Sequence, residues 1–91
     1  MNITTTRQFR KDYKRCRKRG LNMNLLKQVI RVLATEEPLE MKYHDLALTG
    51  NYAGFRECHI QPDWLLIYRI DHNVLILTVA RTGSHSDVLN L

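Results

Sequence analysis

His59, Asp63 and His85 carry side chains suited to moving protons, and Arg56 and Arg81, which stand near them in sequence, carry side chains suited to holding a phosphate. Histidine has an unperturbed pKa of about 6.5, so its acid and base forms are both accessible near neutrality. Asp63 can act as a base itself, or orient His59 and stabilise its imidazolium. A guanidinium offers phosphoryl oxygens a planar fork of donors that lysine lacks. Together these groups meet the needs of metal-free RNA cleavage. A base takes the proton of the ribose 2′-hydroxyl, positive charge stabilises the phosphoryl oxygens, and an acid protonates the leaving 5′-oxygen. The expected products are a 2′,3′-cyclic phosphate and a 5′-hydroxyl.

Each of these residues also has a plainer reading. Pro62-Asp63 is a common turn pair, in which Asp63 caps its own backbone. Trp64 opens an apolar strand and suits either the core or the wall of a site. Arg56 can pair with Glu57 or Asp63, and Arg81 can end the last strand with a solvated head. His72, within Asp71-His72-Asn73, reads as a surface residue, and Tyr68 as structural. Metal ligation is not expected. Cys16 and Cys58 are far apart, Cys58 and His59 are adjacent on a strand and point to opposite faces, and no other pair has ligand spacing. No cofactor is expected either.

The elements that must position these residues follow from periodicity. Ile3 can start a short strand, after which Thr5 or Thr6 caps a helix running to Gly20. Phe9, Tyr13 and Cys16 share one narrow face of it, leaving Arg10, Lys11, Lys14, Arg15, Arg17 and Lys18 on the opposite arc. A second helix after Asn22 or Asn24 turns Leu25, Leu26, Val29, Ile30 and Leu33 inward and ends before Glu36, Glu37 and Pro38. From Met41 the texture changes to strand-length segments. Gly50-Asn51 and Gly54 punctuate the first. Pro62-Asp63 separates Phe55 to Ile60 from Trp64 to Ile70, and Asp71-His72-Asn73 separates that run from Val74 to Arg81. Alternation puts His59 on one face with Phe55 and Glu57, and Arg56 on the other with Cys58 and Ile60. The nearly continuous apolar runs Trp64 to Tyr68 and Val74 to Leu77 suit strands covered on both faces. The expected class is α+β, an N-terminal helical hairpin packed on a mainly antiparallel sheet of about four strands.

Composition bounds the function. The 91 residues suffice for a single domain, 1–91, and 44% apolar with 25% charged residues is ordinary for a folded protein. No apolar run is long enough to span a bilayer and no secretory signal opens the chain, so the cytoplasm is the expected location and no membrane partner is expected. The net charge of +5 points to a polyanionic or acidic partner. Arg7, Arg10, Lys11, Lys14, Arg15, Arg17, Lys18 and Arg19 supply most of the positive charge, against the single acid Asp12 in that span.

The second half carries a pattern with more information than any one residue: Gly50-x-x-x-Gly54-Phe55-Arg56-x-x-His59-x-x-Pro62-Asp63-Trp64-x-Leu66-Ile67-Tyr68, then Arg81-Thr82-Gly83-Ser84-His85. It closely resembles the YafQ branch of the RelE/ParE superfamily of bacterial toxins, and the resemblance covers essentially the whole chain. It implies a RelE-like fold and an endoribonuclease that enters the ribosomal A site and cuts mRNA there. It also implies a small cognate antitoxin as partner. His59, Asp63 and His85 match catalytic positions, Trp64 a site-lining aromatic, and Arg56 and Arg81 basic positions near the scissile phosphate. On this reading Lys11, Lys14, Arg15 and Lys18 contact ribosomal RNA phosphates. Two positions depart from the family. Leu46 stands where the family has a histidine, the nearest being His44, and Leu89 stands where it has an aromatic. Two other functions compete: a non-enzymatic gyrase-binding toxin of the ParE branch, which lacks the histidine set, and a plain nucleic-acid-binding module.

Overall fold

In the computed structural model, which describes residues 1–89, the chain forms strand β1 (Asn2–Thr5), helices α1 (Arg7–Lys18) and α2 (Met23–Ala34), and then strands β2 (Leu46–Ala47), β3 (Arg56–Gln61), β4 (Trp64–Asp71) and β5 (Ile76–Gly83). A short helix, α3 (His85–Leu89), follows. The Thr6 hydroxyl accepts the Phe9 N–H at 3.0 Å and the Asn22 side chain accepts the Asn24 N–H at 3.1 Å, so both long helices begin on the capping residues their sequence supplies.

The sheet has five strands in the order β1-β5-β4-β3-β2. It is antiparallel except at β1, which runs parallel to β5 with Asn2 opposite Ile76 and Thr5 opposite Val79. The sheet is mixed but mainly antiparallel, as expected, with five strands where about four were expected, and the first residues of the chain form its edge. Both faces of β4 are covered. Trp64, Leu66 and Tyr68 meet Phe9, Cys16, Leu26, Val29 and Leu33 of the helical hairpin. Leu65 and Ile67 instead meet Ala80, Val88 and the half-buried Leu48, Tyr52, Phe55 and Leu89.

Two expectations about strands are corrected. The run Val74 to Leu77 is not buried throughout: Val74 and Leu75 are 59% and 51% exposed. They belong to the β4–β5 reversal, where Leu75 takes a left-handed φ of 56°, and β5 begins only at Ile76. Residues 41–54 hold little strand. Met41–Tyr43 and Gly50–Tyr52 form single 3-10 turns, and β2 between them has two residues, paired with Arg56 and Glu57 of β3.

One buried charge joins the helical layer to the sheet. β1 ends at Thr5, so beyond Val79 the edge of β5 has no strand partner. Helix α1 supplies one through its side chains. The Thr6 hydroxyl donates to Ala80 O at 2.7 Å, and Asp12 Oδ2 accepts the Thr82 N–H at 3.2 Å. Asp12 is 0% exposed. Its carboxylate also takes Arg81 Nε at 2.7 Å and Nη2 at 3.3 Å, Arg15 Nη2 at 3.1 Å and Gln8 Nε2 at 3.0 Å. A buried carboxylate is tolerated only with such a set of donors. Removing the acid strands Arg81 and the Thr82 N–H together. Asp12→Ala is therefore expected to destabilise the protein by ~3–5 kcal/mol in urea denaturation, in the range for breaking a buried pair on one side. A loss below ~1 kcal/mol, the range of exposed ion pairs, would contradict this role.

Candidate active site

The β3–β4 turn, the end of β5 and the start of α3 meet at one end of the sheet. His59 stands opposite Leu65 in the β3–β4 register, just before a bulge at which Gln61 rather than Ile60 faces Trp64. The extra residue lets Pro62-Asp63 reverse the chain beside the end of β5, where Leu65 faces Gly83. Gly83 has φ 151°, and a side chain there would lie 2.9 Å from Asp87 Cβ, so only glycine lets β5 turn directly into α3.

The turn is tied down by Asp87. Its Oδ2 accepts the Ser84 N–H at 3.0 Å and Arg19 Nη1 at 2.6 Å, while its own N–H donates to the Ser84 hydroxyl at 3.1 Å. Arg81 Nη2 adds a bond to Asp87 O at 3.2 Å. The end of α1 and the Asp12 cluster thus both hold the segment that carries His85.

There His85 makes two bonds to one oxygen. Asp63 Oδ1 accepts the His85 backbone N–H at 3.1 Å and lies 2.7 Å from His85 Nδ1. Both bonds lower the Asp63 pKa, the side-chain bond most. Of the two roles open to Asp63, a base itself or the residue that orients His59, the second goes to a different histidine, since its partner is His85. A carboxylate on Nδ1 leaves Nε2 of His85 for chemistry. The His59 ring packs edge-on to His85 with centroids 5.4 Å apart. His44 also packs near His59, with centroids 5.7 Å apart. His44 has φ 47°, a left-handed residue ending the 41–43 turn, and this conformation brings its ring to the site although it stands off the family's position in sequence.

Glu57 is a functional candidate that sequence reasoning passed over except as a partner for Arg56. It shares the strand face of His59, and its Oε1 is 3.7 Å from His59 Nε2. Glu57 is 8% exposed, and its Oε2 has no hydrogen-bond partner among the described residues. The signal for it was the two-residue spacing from His59.

The structure does not bring the other named residues to this point. Arg56 lies on the opposite face of β3 from His59 and gives its Nε to Asp45 Oδ1 at 3.1 Å, an oxygen that also accepts the Tyr68 hydroxyl at 2.7 Å. Arg81 is committed to Asp12. Trp64 is 2% exposed and cannot line the site; its indole N–H donates to Thr82 Oγ1 at 2.9 Å beneath the turn. On α1, Lys11, Lys14 and Lys18 are exposed, whereas Arg15 is drawn inward to Asp12. Cys58 is buried and its thiol is pushed up to about 12, mainly by burial, which makes it an inert core residue. Among the described residues no group of three or more His, Cys, Asp or Glu is arranged to hold a metal ion.

The Asp87 clamp makes a prediction about pH. The Arg19 guanidinium holds the Asp87 carboxyl well below the usual carboxylate range. A depressed folded pKa contributes stability that is complete above the unfolded pKa of about 3.9 and is lost as pH falls from there through the folded value. In a carboxyl NMR titration Asp87 is expected to titrate below that range in the wild type and to move up toward it in Arg19→Ala. An unchanged midpoint would show that Arg19 does not set it.

A family model described as a bacterial toxin of type II toxin-antitoxin system, YafQ, matches residues 1–90. The mRNA interferase toxin YafQ of Escherichia coli strain K12 is 37% identical over 86 residues, covering 93% of this chain and 91% of that protein. The crystal structure of a metal-bound toxin from Helicobacter pylori superposes with a TM-score of 0.90 at 44% identity, over 97% of this chain and 98% of that one. YafQ in its E. coli complex with DinJ gives 0.88 at 36% identity, over 96% of both chains. With a family match over nearly its whole length and a RelE-like structure, the chain belongs to the YafQ family of toxins from bacterial type II toxin-antitoxin systems.

Proposed function

We propose that this protein is an endoribonuclease that cuts mRNA in the ribosomal A site by acid–base chemistry at His59 and His85. The observation that carries the reading is the pair of imidazoles 5.4 Å apart, one of them held by a carboxylate at 2.7 Å. At that spacing one phosphodiester can touch both rings. One imidazole takes the 2′-hydroxyl proton while the other, protonated, delivers its proton to the leaving 5′-oxygen. The products are a 2′,3′-cyclic phosphate and a 5′-hydroxyl. Asp63 fixes the ring of His85, and Glu57 stands beside His59. The imidazolium supplies positive charge for the phosphoryl oxygens, because Arg56 and Arg81 are engaged by Asp45 and Asp12. Arg81 and Trp64 act as positioning residues under the turn that carries His85.

The related E. coli protein is an mRNA interferase, which supports mRNA as the substrate. The exposed Lys11, Lys14 and Lys18 suit a sequence-independent contact with ribosomal RNA phosphates. A small antitoxin is the expected protein partner, since YafQ of E. coli is found in complex with DinJ. Such a partner, like the ribosome, acts in the cytoplasm. No helix among the described residues is long and apolar enough to cross a membrane.

Induced expression in a bacterial host tests the reading. The wild type is expected to arrest growth and to generate new mRNA 5′ ends. His59→Ala and His85→Ala are each expected to lower cleavage about 10²–10⁴-fold, the usual contribution of a positioned acid or base. Equal arrest by all three proteins without new ends would favour a binding toxin instead.

A further inference from the structure

We infer that the cleft between the start of α2, the turn 41–44 and the end of β3 is a subsite for one unstacked nucleobase of the RNA, next to the scissile phosphate. The inference rests on the ribonuclease reading and specifies where the substrate lies. The cleft has a volume of ≈ 460 Å³, which falls within the 300–1,000 Å³ common to small-molecule sites. Leu25, Tyr43 and Pro62 give it apolar walls, while Lys42 and Gln61 bring polar groups to it. His59 and His44 also border it, so it opens directly onto the histidine cluster.

Three features make a base the fitting occupant. The first is position. His59 lies 5.4 Å from His85 and itself lines the cleft, with His44 at 5.7 Å from it. A nucleotide whose phosphate touches His59 and His85 can therefore extend its base toward Tyr43. The second is composition. Single-stranded RNA is recognised by splaying a base onto an aromatic or apolar surface and reading its edge with a side-chain amide, and Tyr43 and Gln61 supply those two parts. Lys42, whose Nζ is 5.2 Å from the Tyr43 ring centroid, puts positive charge beside an incoming polyanion.

The third is preorganisation. β2 pairs only with Arg56 and Glu57, so the edge of β3 from Cys58 onward has no strand beside it and the cleft stays open. Asp45 pins the adjoining turn by accepting both the Tyr68 hydroxyl at 2.7 Å and Arg56 Nε at 3.1 Å. The wall that carries Tyr43 and His44 is therefore anchored to the sheet before any ligand arrives.

The test is an NMR titration of the purified protein with the four nucleoside 3′-monophosphates and, separately, with inorganic phosphate. Nucleotides are expected to shift the signals of Tyr43 and Gln61 as well as those of His59 and His85; phosphate is expected to shift only the histidines. Leu25→Trp fills the cleft and Gln61→Ala removes the reading group from the exposed end of β3. Each is expected to weaken nucleotide binding about tenfold while leaving phosphate binding unchanged. Both should also alter the base preference beside the mRNA ends produced in cells. Nucleotide shifts confined to the histidines at millimolar concentration, or wild-type nucleotide affinity in both variants, would overturn the subsite. So would a Leu25→Trp protein that binds nucleotides normally but escapes its antitoxin, because the cleft would then belong to that partner. The titration requires no cleavage, so it fails or succeeds separately from the ribonuclease reading, which depends on mRNA ends lost in His85→Ala.

Discussion

The carboxylate of Asp12 must be fully bonded inside the protein, and the arrangement of the site depends on how that demand is met. It is fully buried, so its donors come from two parts of the chain: Gln8 and Arg15 on its own helix, and the Arg81 guanidinium with the Thr82 backbone on β5. Satisfying one acid thus locks α1 against the free edge of β5. The lock lies only a few residues before His85. Arg19, at the end of the same helix, continues it through Asp87 to the turn after Gly83. Two acids and three arginines convert the packing of a helix into the placement of a histidine.

This use of charge changes the meaning of the basic first helix. Its arginines do not all face solvent. Arg15 and Arg19 are engaged with Asp12 and Asp87, and Arg81 on β5 is engaged as well. Arginine suits such work because its planar fork keeps its charge and binds two acceptors at once. The lysines, as compact and strongly hydrated charges, remain outside, which separates a structural set of cations from a set free to meet nucleic acid. In the proposed reaction it is the imidazoles of the site, not these arginines, that would meet the phosphate and exchange protons.

Much of this was legible in the sequence. The helical hairpin followed from apolar spacing and capping residues, and the turns at Pro62-Asp63 and Asp71-Asn73 were marked by their own chemistry. The His59, Asp63 and His85 constellation stood out because its spacing matched a family pattern. What escaped were interactions set by tertiary geometry. Asp12 lies three residues after Phe9 and four before Cys16, a spacing that places it on the buried stripe, yet the sequence reading took it only as the single acid of a basic segment. Asp63 is nearer His59 in sequence, but the bulge in β3 and the turn of β5 into α3 give it to His85. Trp64 took the core because β4 is covered on both faces. His44 reached the cluster through a left-handed turn that periodicity does not reveal. Val74 and Leu75, apolar but exposed, show the opposite limit: a tight reversal can overrule hydrophobicity.

The central claim is that His59 and His85 act on a ribose 2′-hydroxyl, and its most direct test removes that hydroxyl. An mRNA carrying a single 2′-deoxynucleotide immediately 5′ to a mapped cleavage site should resist the toxin at that site, whereas the all-ribose mRNA should be cut there to leave a 2′,3′-cyclic phosphate. Cleavage of both at equal rates, or a 3′-hydroxyl product, would contradict the account.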